Sequence, residues 1–228
     1  MDFEVFETKE RVLADNDRAA AETRAAMAAQ GTYLINLMGS PGAGKTSVLL
    51  RLIDALKDRY RIGVMEADAD SDVDARTVSE TGVKVIQLHT GGLCHMDADM
   101  TARGLARLGT EGLDLIILEN VGNLVCPAEF DVGADLRLTI LSVPEGDDKP
   151  LKYPLMFTVA DVLVVNKIDT APIFDFDLAA ARERAAALHP GQECYPVSAL
   201  QNEGFGPLID ALVRRIDARV KAGKEDAE

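Results

Sequence analysis

The residues most suited to chemistry lie in one glycine-rich stretch, Gly39–Thr46. Its sequence, GSPGAGKT, fits the pattern G-x-x-x-x-G-K-[ST], which is typical of loops that bind nucleotide phosphates. Glycines let such a loop turn so that successive backbone N–H groups point at phosphate oxygens. Lys45 is expected to reach the β- and γ-phosphates, and Thr46 to offer its hydroxyl to Mg²⁺. The predicted phosphate-binding residues are Gly39, Ser40, Gly42, Ala43, Gly44, Lys45, Thr46 and Ser47.

The segments on either side of this loop have the character that the motif requires. Tyr33–Met38 is an apolar run of strand length, and the residues after the loop repeat apolar side chains at helical spacing. An ordinary glycine-rich turn before a helix is the alternative interpretation. The order strand, loop, helix favours a phosphate site, since the phosphates then meet the positive end of the helix dipole.

Carboxylates follow two later predicted strands. The strand at 61–65 leads into Glu66–Asp74, which holds five carboxylates in nine residues. Most of these acids should be solvated, but one of them could hold Mg²⁺ or its water beside the γ-phosphate. Glu119 ends the hydrophobic strand at 113–119, where a carboxylate directed at magnesium is expected. Gly122, three residues later, is predicted to present its backbone N–H to the γ-phosphate.

A second motif, Asn166-Lys167-Ile168-Asp169, follows the predicted strand at 162–165. Together with a phosphate loop, N-K-x-D is typical of GTPases. The Asp169 carboxylate would accept hydrogen bonds from N1–H and the exocyclic amine of guanine, donors that adenine lacks at that edge. The backbone of Ser198 and Ala199 is the predicted contact to guanine O6. These residues predict a guanine nucleotide site.

Composition excludes several classes of function. A net charge of −14 argues against a nucleic-acid surface, which needs clustered lysine and arginine. No apolar run approaches the roughly 20 residues of a membrane span, and the acidic start at Met1–Glu4 is unlike a signal peptide. Three cysteines, an odd number, fit a reducing cytoplasm better than a disulfide framework.

Strands alternating with helices predict an α/β fold, that of a P-loop NTPase, with a mostly parallel sheet covered by helices on both faces. Residues 32–221 are expected to form the P-loop GTPase domain. Residues 1–31 are expected to be a helical extension that packs loosely, because its apolar stripe is thin. Residues 222–228 are expected to be a frayed tail.

Three side chains could bind a soft metal ion: Cys94 and His95, which are adjacent, and Cys126. Thiolate and imidazole are ligands that zinc, nickel and copper favour. An adjacent Cys-His pair is unlike the C-x-x-C of structural zinc sites, so unreactive cysteines and a surface histidine are the alternative. Position favours the metal, because both pieces follow consecutive strands and can meet beside the nucleotide. Cys194, His89 and His189 have no such neighbours and are interpreted as structural.

Four stretches together resemble the HypB family, GTPases that help to insert nickel into [NiFe]-hydrogenase. They are the loop at 39–46, CHMDA at 94–98, ENVGNLVCPA at 119–128 and EGDDKPLKYP at 145–154. The resemblance runs from about Tyr33 to about Leu212. It implies a slow GTPase that forms a nucleotide-dependent homodimer with a shared metal site. The implied partners are a nickel-binding accessory protein and the precursor of the hydrogenase large subunit.

The resemblance also assigns residues. It places the nickel or zinc ligands on Cys94, His95 and Cys126, and the switch aspartates on Asp68 and Asp74. Magnesium would be held by Thr46, Asp68, Asp74 and Glu119, and catalysis would rest on Lys45, Asp68 and Glu119. In departure from the family pattern, Asp99 stands where many relatives have histidine, Ala67 replaces a usual glycine, and there is no Cys-rich or His-rich storage tract.

Alternatives remain open at this point. The chain could serve another nickel enzyme such as urease, or be a metal-binding regulatory module with negligible turnover, although intact Lys45 and Thr46 disfavour the latter. A small-molecule kinase is disfavoured by the guanine motif. For the dimer, the segment after Asp169 offers Ile173, Phe174 and Phe176 as exposed apolar contacts.

Overall fold

A computed structural model describes the backbone of residues 8–225 and the side chains of residues 13–223. Its strands form one seven-stranded sheet in the order β3-β2-β4-β1-β5-β6-β7. Every pairing in that sheet is parallel. The strands are β1 Tyr33–Gly39, β2 Ile62–Asp68, β3 Lys84–His89, β4 Leu115–Glu119, β5 Leu136–Ser142, β6 Val162–Asn166 and β7 Glu193–Pro196.

Helices connect the strands and cover the sheet. They are α1 Thr8–Ala29, α2 Lys45–Leu56, α3 Val73–Ser79, α4 Ala98–Leu108, α5 Cys126–Glu129, α6 Lys149–Lys152, α7 Pro154–Val159, α8 Leu178–Leu188 and α9 Phe205–Glu225, with 3₁₀ turns at Val143–Glu145 and Ile168–Thr170. No helix within residues 8–225 is long and apolar enough to span a membrane.

The core lies on both faces of the sheet, as the predicted fold class requires. Along β1, Ile35 and Leu37 point into a cluster filled by α2 and α9. Leu34 points the other way, into a cluster with side chains of α1 and α4, and Met38 into a cluster with α7 and α8. All seven residues of β1 are buried, which explains why its sequence is apolar apart from Asn36. The predicted P-loop α/β fold is therefore confirmed.

Some elements were longer than predicted or were not predicted. β2 continues to Asp68 rather than ending at 65, because its last residues pair with β3 as far as the pair Asp68–His89. Helix α9 continues to Glu225, past the expected start of the tail at 222. The edge strand β7 and the short helices α3, α5, α6 and α7 have too few residues to show a clear period.

The N-terminal helix α1 packs more closely than its thin apolar stripe predicted, because polar side chains complete the contact. Asn16 is buried; its Nδ2 donates to the Asp131 carbonyl at 2.9 Å and its Oδ1 accepts from the Ala98 N–H at 2.9 Å. Arg24 makes two hydrogen bonds to the Asp131 carboxylate, at 2.7 and 2.9 Å. The expectation of loose packing is wrong.

Asn16→Ala should lower the free energy of unfolding by about 1–3 kcal/mol, since the buried Ala98 N–H and Asp131 carbonyl lose their partner. Urea unfolding followed by circular dichroism measures this. Asp17→Ala, at an exposed position next to it, is the control and should stay within about 0.5 kcal/mol of the parent protein. Equal stability of the two variants would contradict a structural role for the Asn16 contacts.

Candidate functional site

The phosphate loop connects β1 to α2, at the carboxyl edge of the sheet. Gly44 caps α2 with φ of 94°, a conformation that side chains disfavour, and a Cβ there would lie 2.4 Å from Asn166 Nδ2. Lys45 is buried, with Nζ 3.4 Å from the Ser40 carbonyl and 4.0 Å from Glu119 Oε1. Its ammonium therefore already lies inside the loop.

A cleft of about 570 Å³ opens over this loop. Ten of the residues predicted from the sequence line it: Gly42, Gly44, Lys45, Thr46, Ser47, Asp68, Asp74, Glu119, Gly122 and Lys167. Asn166, Asp169 and Ala199 line the adjoining cleft instead. Gly39, Ser40, Ala43 and Ser198 line neither; Ala43 and Ser198 are fully buried, and the Ser40 hydroxyl donates to Glu145. The structure thus brings four separate loops together around one cleft.

Gly122 lies against the phosphate loop. A Cβ at this position would approach the backbone nitrogen and Cγ of Pro41 at 3.0 Å. This close approach explains why the sequence has glycine here, and it places the backbone of the 119–126 segment directly beside the predicted γ-phosphate position.

Two glutamates lie side by side beneath the cleft. Glu66 of β2 is in register with Glu119 of β4, and both are buried. Glu119 Oε1 accepts from the Thr46 hydroxyl at 3.0 Å, while Glu119 Oε2 and Glu66 Oε1 have no hydrogen-bond partner among the described residues. Glu66 is not among the residues predicted from the sequence, because the acidic run at 66–74 is typical of a loop, whereas Glu66 lies within β2.

Burial raises the pKa of both carboxyl groups. Desolvation, followed by the charge of Glu119, raises the pKa of Glu66. Desolvation also raises the pKa of Glu119, against the opposing influence of Lys45. Hydroxyl and carboxylate oxygens are the ligands that Mg²⁺ prefers, and buried carboxylate oxygens without partners suit a bound cation. The donor set Thr46, Glu119, Asp68 and Asp74 therefore fits the predicted magnesium ion.

Asp68 and Asp74 reach the cleft from its outer side. The Asp68 carboxylate accepts from the backbone N–H groups of Asp70 and Ser71, at 3.0 and 2.7 Å, and these bonds lower its pKa. Asp74 stands in the first turn of α3. Asp68 is thus held as a carboxylate by the turn that follows it, whereas Glu66 two residues earlier is buried in the strand.

A second cleft, of about 550 Å³, adjoins the first and shares Gly44, Ser47 and Lys167 with it. Asn166, Asp169 and Ala199 also line this second cleft. Its position beside the phosphate loop would suit a nucleotide base whose phosphates lay in the first cleft.

The guanine motif is tied to the phosphate loop by direct bonds. Asn166 Nδ2 donates to the Ala43 carbonyl at 3.1 Å, and Lys167 Nζ donates to the Gly42 carbonyl at 2.6 Å. The Ser198 hydroxyl donates to the Asp169 carboxylate and so orients it. The Ala199 N–H, predicted to meet guanine O6, instead donates to Asn166 Oδ1 at 3.1 Å.

The three predicted soft-metal ligands meet. One ligand atom from each of Cys94, His95 and Cys126 can be chosen so that all lie within 4.8 Å of one another. Cys94 Sγ is 2.9 Å from Cys126 Sγ and 3.9 Å from His95 Nδ1. The His95 ring stacks on Phe130, with centroids 4.1 Å apart, which fixes the imidazole. Two sulfurs and a nitrogen in one cluster suit nickel or zinc.

Protonation of this trio follows from its surroundings. The hydrogen bond with Cys94, followed by desolvation, raises the pKa of the Cys126 thiol above its ordinary value of 9.0. Desolvation lowers the pKa of His95, so the imidazole is neutral at pH 7 and can act as a ligand. A metal ion must therefore displace protons from sulfur, and not from His95.

The other candidates lie apart from this cluster. Asp99 is exposed and pairs with Arg103 at 3.5 Å, and it is outside the metal-capable group found among the described residues. Cys194 packs in the cluster of α7 and α8. Ile173 and Phe174 are exposed as predicted, whereas Phe176 is half-buried in that same cluster and offers less surface than expected.

Comparisons with known proteins agree with this geometry. A family model described as "CobW/HypB/UreG, nucleotide-binding domain" matches residues 33–196. The hydrogenase maturation factor HypB of Azotobacter vinelandii is 46% identical over 220 residues, covering 95% of this chain and 73% of that protein. The chain belongs to the HypB family.

Two further matches come from Helicobacter pylori. A HypB named as a hydrogenase/urease maturation factor is 40% identical, covering 90% of this chain and 86% of that protein. A crystal structure of HypB from the same organism, in complex with nickel, has a TM-score of 0.83 and 36% identity, covering 90% of this chain and 97% of that one. Membership makes this HypB protein a P-loop NTPase of a family that acts in hydrogenase maturation.

The raised pKa of the Glu66 carboxyl predicts how the stability of the folded protein depends on pH. Its pKa is higher in the folded protein than the ordinary 4.5 of the unfolded chain. The folded state therefore binds the proton more tightly, so stability is lost as the pH rises from about 4.5 toward the folded value. In the nucleotide-free and metal-free protein, Glu66→Gln should be more stable than the parent at pH 8, with a flatter decline of the unfolding free energy.

Urea unfolding across pH 5–8.5 measures this difference, a range chosen to span the rise toward the folded pKa of about 9. The control Glu80→Gln changes an exposed glutamate and should keep the parent's pH dependence. A decline in Glu66→Gln as steep as that of the parent would show that Glu66 does not carry the effect.

Proposed function

We propose that this HypB protein is a GTPase that carries nickel, hydrolysing GTP to GDP and phosphate during the maturation of [NiFe]-hydrogenase. The observation that carries the proposal is one segment of chain, residues 119–126. It begins at Glu119, hydrogen-bonded to Thr46 of the phosphate loop, and ends at Cys126, in contact with Cys94. A single segment thus touches both sites, so a change at one can move the other.

In the proposed hydrolysis, the phosphate loop holds the triphosphate and Lys45 contacts its β- and γ-phosphates. Thr46, Glu119, Asp68 and Asp74 would hold Mg²⁺, which would neutralise charge on the phosphates. Asp68 is placed on the outer side of the cleft as a carboxylate and would orient the attacking water. The Gly122 N–H would donate to the γ-phosphate. Little covalent chemistry is asked of the protein, so positioning dominates and slow turnover is expected.

Guanine selection would rest on Asp169. Its carboxylate lines the base cleft and is oriented by Ser198. Asn166 and Lys167 bind the phosphate loop, so the base and phosphate sites are held at a set separation. Guanine O6 would share the Ala199 N–H with Asn166.

Nickel, or zinc as a competitor, would bind as cargo at Cys94, His95 and Cys126. Three ligands from one chain leave coordination positions for a second chain or an acceptor protein. Leu93 and Val125, the residues preceding the two cysteines, are exposed, so apolar surface surrounds the ligands. We infer a homodimer that pairs two such surfaces in the GTP state, with Ile173 and Phe174 as a second contact.

The inferred partners are a nickel-binding accessory protein, which would load the site, and the precursor of the hydrogenase large subunit, which would receive the ion. We place the protein in the cytoplasm, a reducing compartment in which the thiols of Cys94 and Cys126 would stay available to bind a metal ion.

Urease maturation is a second candidate. It is favoured by the name of the Helicobacter pylori relative, which includes urease as well as hydrogenase. The same nucleotide and metal chemistry would serve either acceptor enzyme.

Asp169→Asn should weaken GTP and strengthen xanthosine triphosphate, because the asparagine amide can donate to the xanthine 2-carbonyl but no longer accepts from the guanine amine. A hydrogen bond to a charged group contributes about 1.5–3 kcal/mol, so we expect a loss of roughly 10- to 100-fold for GTP. Competition binding measures both nucleotides, with Asp175→Asn, an exposed aspartate outside the base cleft, as control. Equal affinity of ATP and GTP for the parent protein would refute guanine selection.

Cys126→Ala should lose Ni²⁺ binding but keep GTP binding, since the nucleotide clefts do not include this residue. In the parent protein, Ni²⁺ affinity should rise between about pH 6.5 and 8.5, because the ion displaces thiol protons. Titration with a competing chromophoric chelator measures both effects.

The matched control is Cys194→Ala, which removes the third cysteine from its place in the core beside α8. It should bind Ni²⁺ like the parent protein. Sedimentation of the same samples with GDP or a GTP analogue reports whether one chain or two hold the ion. Unchanged Ni²⁺ affinity in Cys126→Ala, or an affinity independent of pH, would overturn the assignment of the site.

A further inference from the structure

Asn120 occupies the position between the two sites. It follows Glu119 directly and is fully buried. Its backbone N–H donates to the Leu37 carbonyl of β1 at 2.9 Å, and its Nδ2 donates to Asn36 Oδ1 at 3.1 Å. Its side chain is therefore hydrogen-bonded to β1, the strand that leads into the phosphate loop.

The other end of the same side chain reaches the loop between β3 and α4, which carries Cys94 and His95 and is called the metal loop below. Asn120 Oδ1 accepts from the Met96 N–H at 3.1 Å, and from the Val121 N–H at 2.9 Å. Met96 is itself buried and follows His95 directly. A continuous path of bonded groups thus runs from Thr46 through Glu119 and Asn120 to the backbone beside His95.

A second asparagine makes a parallel but weaker link. The Asn123 N–H donates to the Gly39 carbonyl at 3.1 Å, and its Nδ2 donates to the Cys94 carbonyl at 3.4 Å. Its Oδ1 accepts from the Val125 N–H at 2.8 Å, next to Cys126. The metal loop is therefore attached to the 119–126 segment at Cys94 and at Met96.

A buried asparagine can serve the fold alone, by satisfying backbone groups. One feature sets Asn120 apart. Its Oδ1 accepts hydrogen bonds from two different segments, at Met96 in the metal loop and at Val121 in the segment that leads to Gly122. Because Gly122 contacts the phosphate loop, a shift of that segment must either carry the Met96 backbone with it or break the Asn120 bond.

We propose that Asn120 is a positioning residue that transmits the nucleotide state to Cys94 and His95. This inference rests on the proposed function, in which GTP acts at Gly122 and nickel binds the trio. Through Asn120, a shift of the segment that leads to Gly122 displaces the Cys94–Met96 stretch, so the spacing of the two thiols and the imidazole differs between the GDP and GTP states.

The test compares Ni²⁺ affinity in the GDP form with that in the GTP-analogue form of the full chain. Their ratio is the coupling factor, roughly 5- to 150-fold in typical allosteric proteins. Asn120→Ala should bring the ratio to within about twofold of one while GTP binding persists. Its matched control is Asn36→Ala, which removes an equally buried amide from the same hydrogen bond but leaves the Met96 contact. This control should keep the parent's ratio.

The outcomes separate the inference from the proposed function. A parent-like ratio in Asn120→Ala with intact Ni²⁺ binding would overturn the role of Asn120 and leave the nickel GTPase standing. An equal loss of the affinity ratio in Asn120→Ala and Asn36→Ala would show that removal of any buried amide here loosens the structure. That result would also overturn the role of Asn120. A parent protein without Ni²⁺ binding would refute the proposed function and the inference together, whereas a parent ratio of one with intact Ni²⁺ binding would overturn the inference alone.

A measurement on the parent protein covers the case in which Asn120→Ala does not fold. Amide hydrogen exchange of Met96, whose N–H bonds to Asn120, should differ between the GDP and GTP-analogue forms without any metal present. Identical exchange of that amide in the two forms would contradict transmission through this bond.

Discussion

The pairing of β4 with its two neighbours decides what this protein can do. Glu119 is in register with Leu37 of β1 on one side and with Glu66 of β2 on the other. Because parallel strands end at the same edge, the chain leaving β4 must pass beside the phosphate loop that leaves β1. That chain is the 119–126 segment, and its position places it beside both the proposed nucleotide site and the proposed metal site.

This arrangement has a cost in stability. Two buried carboxylates face each other with one nearby ammonium, Lys45, and two of their oxygens have no partner among the described residues. Burial of like charges raises their pKa values, so the protein holds a proton or a cation there. Carboxylate oxygens in this setting favour a bound cation such as Mg²⁺ over an empty site.

The sequence predicted the parts whose residues are close together in the chain. The residues of the phosphate loop, of the guanine motif and of Glu119–Gly122 are each neighbours in the sequence, so each motif can be recognised on its own. The structure brings the three motifs to the carboxyl edge of the sheet. Glu66 and Asn120 could not be found in this way, because Glu66 meets Glu119 only through the strand register and Asn120 bonds to the N–H of Met96, 24 residues away in the chain. Likewise the close packing of α1 depends on Asn16 and Arg24, polar residues that apolar periodicity ignores.

The central claim is that nucleotide binding and Ni²⁺ binding are linked by a coupling free energy. Linkage requires Ni²⁺ to change nucleotide affinity by the factor by which nucleotide changes Ni²⁺ affinity, at the same assembly state. The direct measurement is competition between GDP and a non-hydrolysable GTP analogue, titrated with and without saturating Ni²⁺ at one protein concentration. The account predicts that Ni²⁺ shifts the ratio of the two nucleotide affinities. A ratio that is the same with and without Ni²⁺ would contradict it.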